Sequence, residues 1–227
     1  PTATAEPQPE HTETPTLAPT AVDYACADAS DSQSQPFISH VVAARLDYPN
    51  RSISAEQVIR YTNPTSSELT DIVFNIEPNE RAGTFALESV QIGGSKLDYA
   101  LARNRLEVAL PSPLAPGCEV ELRLNFQMRI PRIDAGISSL RGFFGYSDRQ
   151  VNLALWLPTV APRINDQWIV HEPLVIGEQI VLEIADWELV LDVEMRRRAC
   201  RLPCRVWWSS LMMRVGVSFT SARVISH

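Results

Sequence analysis

One arrangement for zinc-dependent peptide hydrolysis is His-Glu-x-x-His on a helix, two imidazoles one turn apart with a Glu as general base, and the chain comes nearest to it at His171-Glu172-Pro173-Leu174-Val175. It fails at two points. Val175 stands where the second imidazole belongs, and Pro173 would break the helix that pairs the ligands. The four histidines, His11, His40, His171 and His227, are scattered, so no replacement cluster is visible. Cys200 and Cys204 lack a second ligand pair and sit among arginines, so they read as incidental thiols. No Gly-x-Ser-x-Gly elbow exposes a nucleophile and no glycine-rich loop could cradle a phosphate; Gly93-Gly94-Ser95 reads as a hairpin turn. Asn50-Arg51-Ser52 matches a glycosylation acceptor only formally. The expectation is a chain without catalytic residues and without a metal of its own.

At 227 residues and 45% hydrophobic content the chain can bury one sizeable core. Its formal charge of -7 disfavours a nucleic-acid partner, which would call for a basic face. No apolar run approaches the roughly 20 residues of a membrane span. A core of this size needs no staples, so Cys26, Cys118, Cys200 and Cys204 are expected to form no disulfide framework. Residues 1–36 are rich in Thr, Pro, Ala, Ser and Asp and are expected to be a disordered linker, of the kind that holds an exported domain away from a cell envelope. The chain begins at Pro1, which points to a missing leader that could attach it to that envelope.

From about residue 38 the apolar period is two, the spacing of a half-buried strand. In the stretch 118–130, Val120, Leu122, Leu124, Phe126, Met128 and Ile130 share one face, while Glu119, Glu121, Arg123, Asn125, Gln127 and Arg129 share the other. Further strands are expected at 42–48, 53–61, 72–76, 85–92, 106–110, 151–157, 180–184 and 189–193. Pro49-Asn50, Asn63-Pro64, Pro78-Asn79, Gly93-Gly94 and Pro116-Gly117 fall between them as turns. No stretch has a helical period. The fold class is therefore all-β, a twisted antiparallel sandwich or saddle over residues 37–194. Trp156, Trp168 and Trp187 read as packing residues of that sandwich, with a sugar-binding platform as the other reading.

One sequence of motifs resembles the amino-terminal domain of M1-family zinc aminopeptidases, in a divergent bacterial branch. It runs through Ala44-Arg45-Leu46-Asp47-Tyr48, Tyr61-Thr62-Asn63, Ile72 to Asn79 and the turn from Leu110-Pro111 to Pro116-Gly117. It continues through Gly142-Phe143-Phe144-Gly145-Tyr146, Trp156-Leu157-Pro158, Trp168, Gly177-Glu178 and Ala185-Asp186-Trp187. The resemblance implies a twisted β sandwich that caps one side of a peptide cleft. It also implies zinc and a peptide substrate for a full-length parent, and makes Gln150, shortly before Leu157-Pro158, the candidate for holding the substrate's free amino group. The family's Gly-x-Met-Glu-Asn signature is absent. The expected function is that of a truncated, non-catalytic amino-terminal domain of an M1-like metallopeptidase. The alternative is a stand-alone cell-surface module binding glycan or protein, or a structural envelope domain.

All 27 acidic residues lie at or before Glu194, so that part of the chain carries -14 and residues 195–227 carry +7. The basic stretch contains Arg196-Arg197-Arg198, Trp207-Trp208 and Met212-Met213. Read one base earlier, tryptophan doublets preceded by G become valines and methionine doublets become aspartates, so 195–227 is expected to be a frameshifted tail. It would leave the sheet without its closing strands and prone to aggregate. The purified chain should retain no stoichiometric zinc after dialysis and release no amino acid from aminoacyl amides. One zinc per chain by emission spectroscopy, lost on substitution of His171 or Cys200, would overturn this expectation.

Overall fold

The computed structural model describes residues 22–26, 37–133, 144–170, 181–194 and 211–217, the last as backbone. Alternation of apolar and polar residues produces two facing sheets. The larger has eight strands, ordered Leu211–Val217, Asp186–Glu194, Ile38–Asp47, Ser52–Thr62, Cys118–Arg129, Phe85–Ile92 and Ser95–Lys96, with Ala25–Cys26 also laid against Cys118–Arg129. The smaller runs Thr159–Val160, Leu69–Asn75, Arg105–Leu114, Tyr99–Ala102. Two short ribbons, Phe144–Tyr146 with Val151–Leu153 and Arg163–Ile164 with Gln167–Trp168, complete an all-β sandwich.

The central strand behaves as its sequence requires. Val120, Leu122, Leu124, Phe126, Met128 and Ile130 are all buried, and the residues between them face outward or lie at partial exposure. The register carries this face across the sheet in rows such as Val42, Gln57, Leu124, Val90. The inner face meets Leu69, Ile72, Phe74, Leu106, Val108 and Leu114 of the smaller sheet in one core. Each such side chain contributes about 1.5–3 kcal/mol by burial. At the Gly93-Gly94 turn both glycines have positive φ, 56° and 85°, as a two-residue hairpin of this twist demands.

Some expectations are corrected. The strand expected at 180–184 does not form over 181–184; Ile180 itself lies outside the described residues. Pairing begins only at Asp186, opposite Ser39 near the start of its partner strand, so the preceding residues have no ladder to join. That pairing is parallel, the exception in an otherwise antiparallel sheet. The strand expected at 151–157 stops at Leu153, before Leu155 turns to a φ of 54°. Cys26 and Cys118 are disulfide-bonded across 92 positions, contrary to the expectation of no disulfide framework. A self-sufficient core makes a staple unnecessary but does not forbid one. Within the expected linker, residues 22–26 dock on the sandwich: Val22 N donates to Ser112 Oγ and Tyr24 Oη to Ser112 O, both at 3.0 Å. Val22 and Tyr24 supply the apolar contact that the average composition of 1–36 conceals. In the basic stretch, Leu211–Val217 lies antiparallel to Asp186–Glu194, so the edge expected to lack a closing strand carries one from that stretch, since ladder pairing needs only backbone groups.

The corner after Ser52–Thr62 shows how a buried polar residue fixes a turn. Asn63, 1% exposed, donates from Nδ2 to Ser67 O and Leu114 O and accepts at Oδ1 from Thr65 N and Thr65 Oγ1. Its backbone also joins Cys118 O and Gly117 N. Asn63→Ala removes a donor from the Leu114 carbonyl, and we expect a loss of about 1–3 kcal/mol in urea unfolding. A change below about 0.5 kcal/mol would show that the corner holds without it.

Candidate functional site

Gln150 lies at the tip of the ribbon formed by Phe144–Tyr146 and Val151–Leu153. Ser147 N donates to Gln150 O at 2.8 Å, closing the turn, and the exposed side chain donates from Nε2 to Asn152 Oδ1 at 2.9 Å. The ribbon is seated by backbone bonds from Tyr146 N to Pro131 O and from Ile133 N to Tyr146 O. Gly145 permits this approach, because a Cβ there would come within 2.6 Å of Ile133 Cγ1. The Arg51 guanidinium lies 4.0 Å from the Tyr48 ring centre and 4.9 Å from that of Tyr146, tying the ribbon to the turn before Ser52–Thr62. Gln150 is thus presented outward on a braced hairpin. Phe143 and Gly142 lie outside the described residues.

Behind the Leu157-Pro158 motif is a buried polar cluster that periodicity did not single out. His40 and Gln57 occupy adjacent inward positions, 2% and 0% exposed. Gln57 Nε2 lies 2.9 Å from His40 Nδ1 and donates to Pro158 O at 2.8 Å. Because Nε2 carries the hydrogens, His40 Nδ1 is the acceptor and the ring is the neutral Nε2–H form. Trp187 stacks on His40 at 3.8 Å between ring centres and 11° between planes. Burial lowers the His40 pKa from 6.5 to about 3. This locks the Asp186–Glu194 strand and the Leu157-Pro158 segment to one neutral ring.

A second cluster surrounds Trp168. Tyr61 meets it at 6.2 Å, and the Arg163 guanidinium lies 5.2 Å from the Trp168 ring centre. Burial raises the Tyr61 pKa, opposed by the charge of Arg163. The Asp71 carboxyl is also raised, first by burial and then by Glu107, with Arg163 and Arg105 pulling the other way. Trp156 is in the core, and Trp168 and Trp187 pack against it, so these three do not form an exposed platform.

The outer face of the larger sheet holds an open groove of about 410 Å³ among Ala43, Ser54, Glu56, Glu88, Asn125 and Asp192. Its acids are engaged in part: Glu56 pairs with Arg123 at 2.6 Å, and Glu88 accepts from Gln127 at 2.5 Å. Among the described residues no three His, Cys, Asp or Glu side chains converge as a metal centre would require. His40 does not fit a zinc either, being enclosed with Nδ1 committed to Gln57. The His171 segment and the Cys200 and Cys204 thiols lie outside the described residues.

The His40 environment has a pH consequence. Its folded pKa lies below the unfolded 6.5, so the unfolded chain takes up the extra proton, and this contribution to stability is full above about pH 6.5 and lost as the pH falls towards 3. Between pH 7 and 5 the loss from this residue is about 2 kcal/mol. His40→Phe keeps a ring on Trp187 without the titration, so urea midpoints should fall less steeply with acid than in the parent chain. Equal slopes would remove His40 as the source.

No protein-family description matches the chain, and no curated protein does. Similar solved structures do exist. An M1 zinc metallopeptidase from Deinococcus radiodurans is 16% identical, with a TM-score of 0.43 over 70% of this chain and 33% of that one. A two-domain M1 zinc metallopeptidase mutant bound to L-arginine is 17% identical, with a TM-score of 0.44 over 69% and 32%. Legionella pneumophila aminopeptidase A, in complex with aspartic acid, is 12% identical, with a TM-score of 0.39 over 72% and 17%. The present chain spans about a third or less of the length of these proteins. Two of these three similar structures are thus M1 zinc metallopeptidases and the third is an aminopeptidase.

Proposed function

We propose that this chain is the non-catalytic amino-terminal β domain of an M1-like zinc metallopeptidase, whose full-length parent removes amino-terminal residues from peptides. The observation that carries the reading is the order of motifs along the sandwich. The Tyr61-Thr62-Asn63 corner, the Pro116-Gly117 turn into the central strand, the ribbon with Gly145 and Tyr146, Leu157-Pro158 and Asp186-Trp187 follow one another as in that family. Gln150, outward on its ribbon, is the residue we assign to the peptide's ammonium group through its amide oxygen. Zinc and its general base belong to the catalytic part of the parent. In this reading 195–227 is a frameshifted tail and the product is truncated, supported by the charge step at Glu194 and the tryptophan and methionine doublets.

Export, with attachment to the cell envelope through a leader, belongs to the same proposal. Its support is the Thr/Pro-rich leader together with the Cys26–Cys118 disulfide, a bond that persists in oxidising compartments.

Sequencing the locus beyond codon 194 tests the reading. A His-Glu-x-x-His motif with a later Glu in a shifted frame is expected; one uninterrupted frame through His227, with no such motif in any frame downstream, would defeat it. In the frame-restored protein, Gln150→Ala should raise KM for aminoacyl nitroanilides about tenfold or more, the worth of one charge-assisted hydrogen bond, with a smaller effect on kcat. An unchanged KM would remove Gln150 from the site.

A further inference from the structure

Both sheets are open along one seam, and residues 22–26 close it. On the larger sheet, Ser52–Thr62 pairs with the central strand along its length, from Arg129 to Glu119, whereas Phe85–Ile92 on the other side pairs only from Met128 to Arg123. The edge that remains begins at Cys118, and there Ala25 pairs with Glu119 and Cys26 with Cys118. On the smaller sheet, Tyr99–Ala102 reaches only to Val108 of Arg105–Leu114, and beyond it Ser112 receives the Val22 amide and the Tyr24 hydroxyl. One short strap therefore covers exposed backbone on both layers. Those two hydrogen bonds, two ladder positions, the partly buried Val22 and Tyr24 and the disulfide hold it.

We propose that the Cys26–Cys118 bond is a redox-sensitive lock on this strap, and that a dithiol reductant opens the seam without unfolding the sandwich. Cys26 is exposed and Cys118 is 4% exposed, so attack falls on Cys26 Sγ. The reductant's thiolate bonds to Cys26 Sγ and expels Cys118 as a thiolate, which takes up a proton. The second thiol of the reductant then displaces Cys26, leaving two cysteine thiols and the reductant as its own cyclic disulfide. The strap has then lost its covalent tie, and five residues held by two hydrogen bonds, a two-residue ladder and the half-buried Val22 and Tyr24 do not offset the entropy of ordering them. The core below keeps its packing, since Tyr61, Val120 and Leu122 belong to one cluster that draws on both sheets, including Leu69, Ile72, Phe74, Leu106 and Val108. The lock does not depend on the peptidase reading.

Hydrogen exchange by mass spectrometry on the intact chain, oxidised and after dithiothreitol, tests it, with alkylation and peptide mapping confirming that Cys26 and Cys118 are reduced. Peptides covering 22–26, 110–114 and 118–122 should exchange at least about tenfold faster on reduction, while those within 38–47 and 52–62 keep their protection. Cys26→Ser should show the open pattern in either condition. Three results would overturn the proposal: confirmed reduction with unchanged exchange at the seam, loss of protection throughout the sandwich, or a bond that resists the reductant in the folded chain.

Discussion

Strict alternation along Cys118–Arg129 is the constraint on which the rest depends. Six apolar side chains on one face leave the strand a single orientation, because a slip by one residue would turn Leu122, Leu124 and Phe126 to water and Glu121, Arg123 and Asn125 into the core. Once that orientation is fixed, the neighbours inherit it through the register. Ile53, Ile59 and Tyr61 face inward opposite Met128, Leu122 and Val120, and Val42 and Leu46 follow one strand further. The smaller sheet then has one surface to cover.

Polar side chains inside this apolar frame join segments that are far apart in the chain. Asn63 closes a corner, Asn104 in the turn before Arg105–Leu114 donates to Asn75 at 3.0 Å, and Gln57 links His40 to the Pro158 carbonyl. Each replaces water at a backbone or ring group that would otherwise be buried unpaired, which is why these positions are specific where the apolar ones are interchangeable in kind. Gln57 Oε1 has no partner among the described residues. The surface ion pairs, such as Arg45 with Glu194 and Arg60 with Glu121, are more than two-fifths exposed on both sides and add little to stability.

The hairpin that carries Gln150 is held by groups from three places in the chain: the Tyr48 to Arg51 turn, the Pro131 to Ile133 segment and the ribbon itself. Such bracing suits a loop that presents a side chain to another surface, since a free two-strand ribbon is marginal in water. The strap at the seam is the opposite design, short and thinly bonded. One covalent link adds to its two hydrogen bonds and two ladder positions.

Periodicity alone determined the class of fold, the inward face of 118–130 and the turns at Pro49-Asn50, Asn63-Pro64, Gly93-Gly94 and Pro116-Gly117, because these are local consequences of strand geometry and glycine or proline chemistry. The order of aromatic and proline motifs determined the family resemblance. What tertiary structure decided was long-range pairing. Nothing in the residues near Cys26 or Cys118 encodes their meeting, which requires Val22 and Tyr24 to find Ser112 on another layer. Nor does the sequence near Asp186 announce a parallel partner, since either direction of pairing uses the same alternation. His40 reads as one more inward residue of a strand, and only the approach of Gln57, Pro158 and Trp187 from separate elements makes it a neutral, stacked and deeply shifted base. Local rules fix which face a side chain takes; its company is fixed by chain segments whose separation in sequence carries no periodic signal.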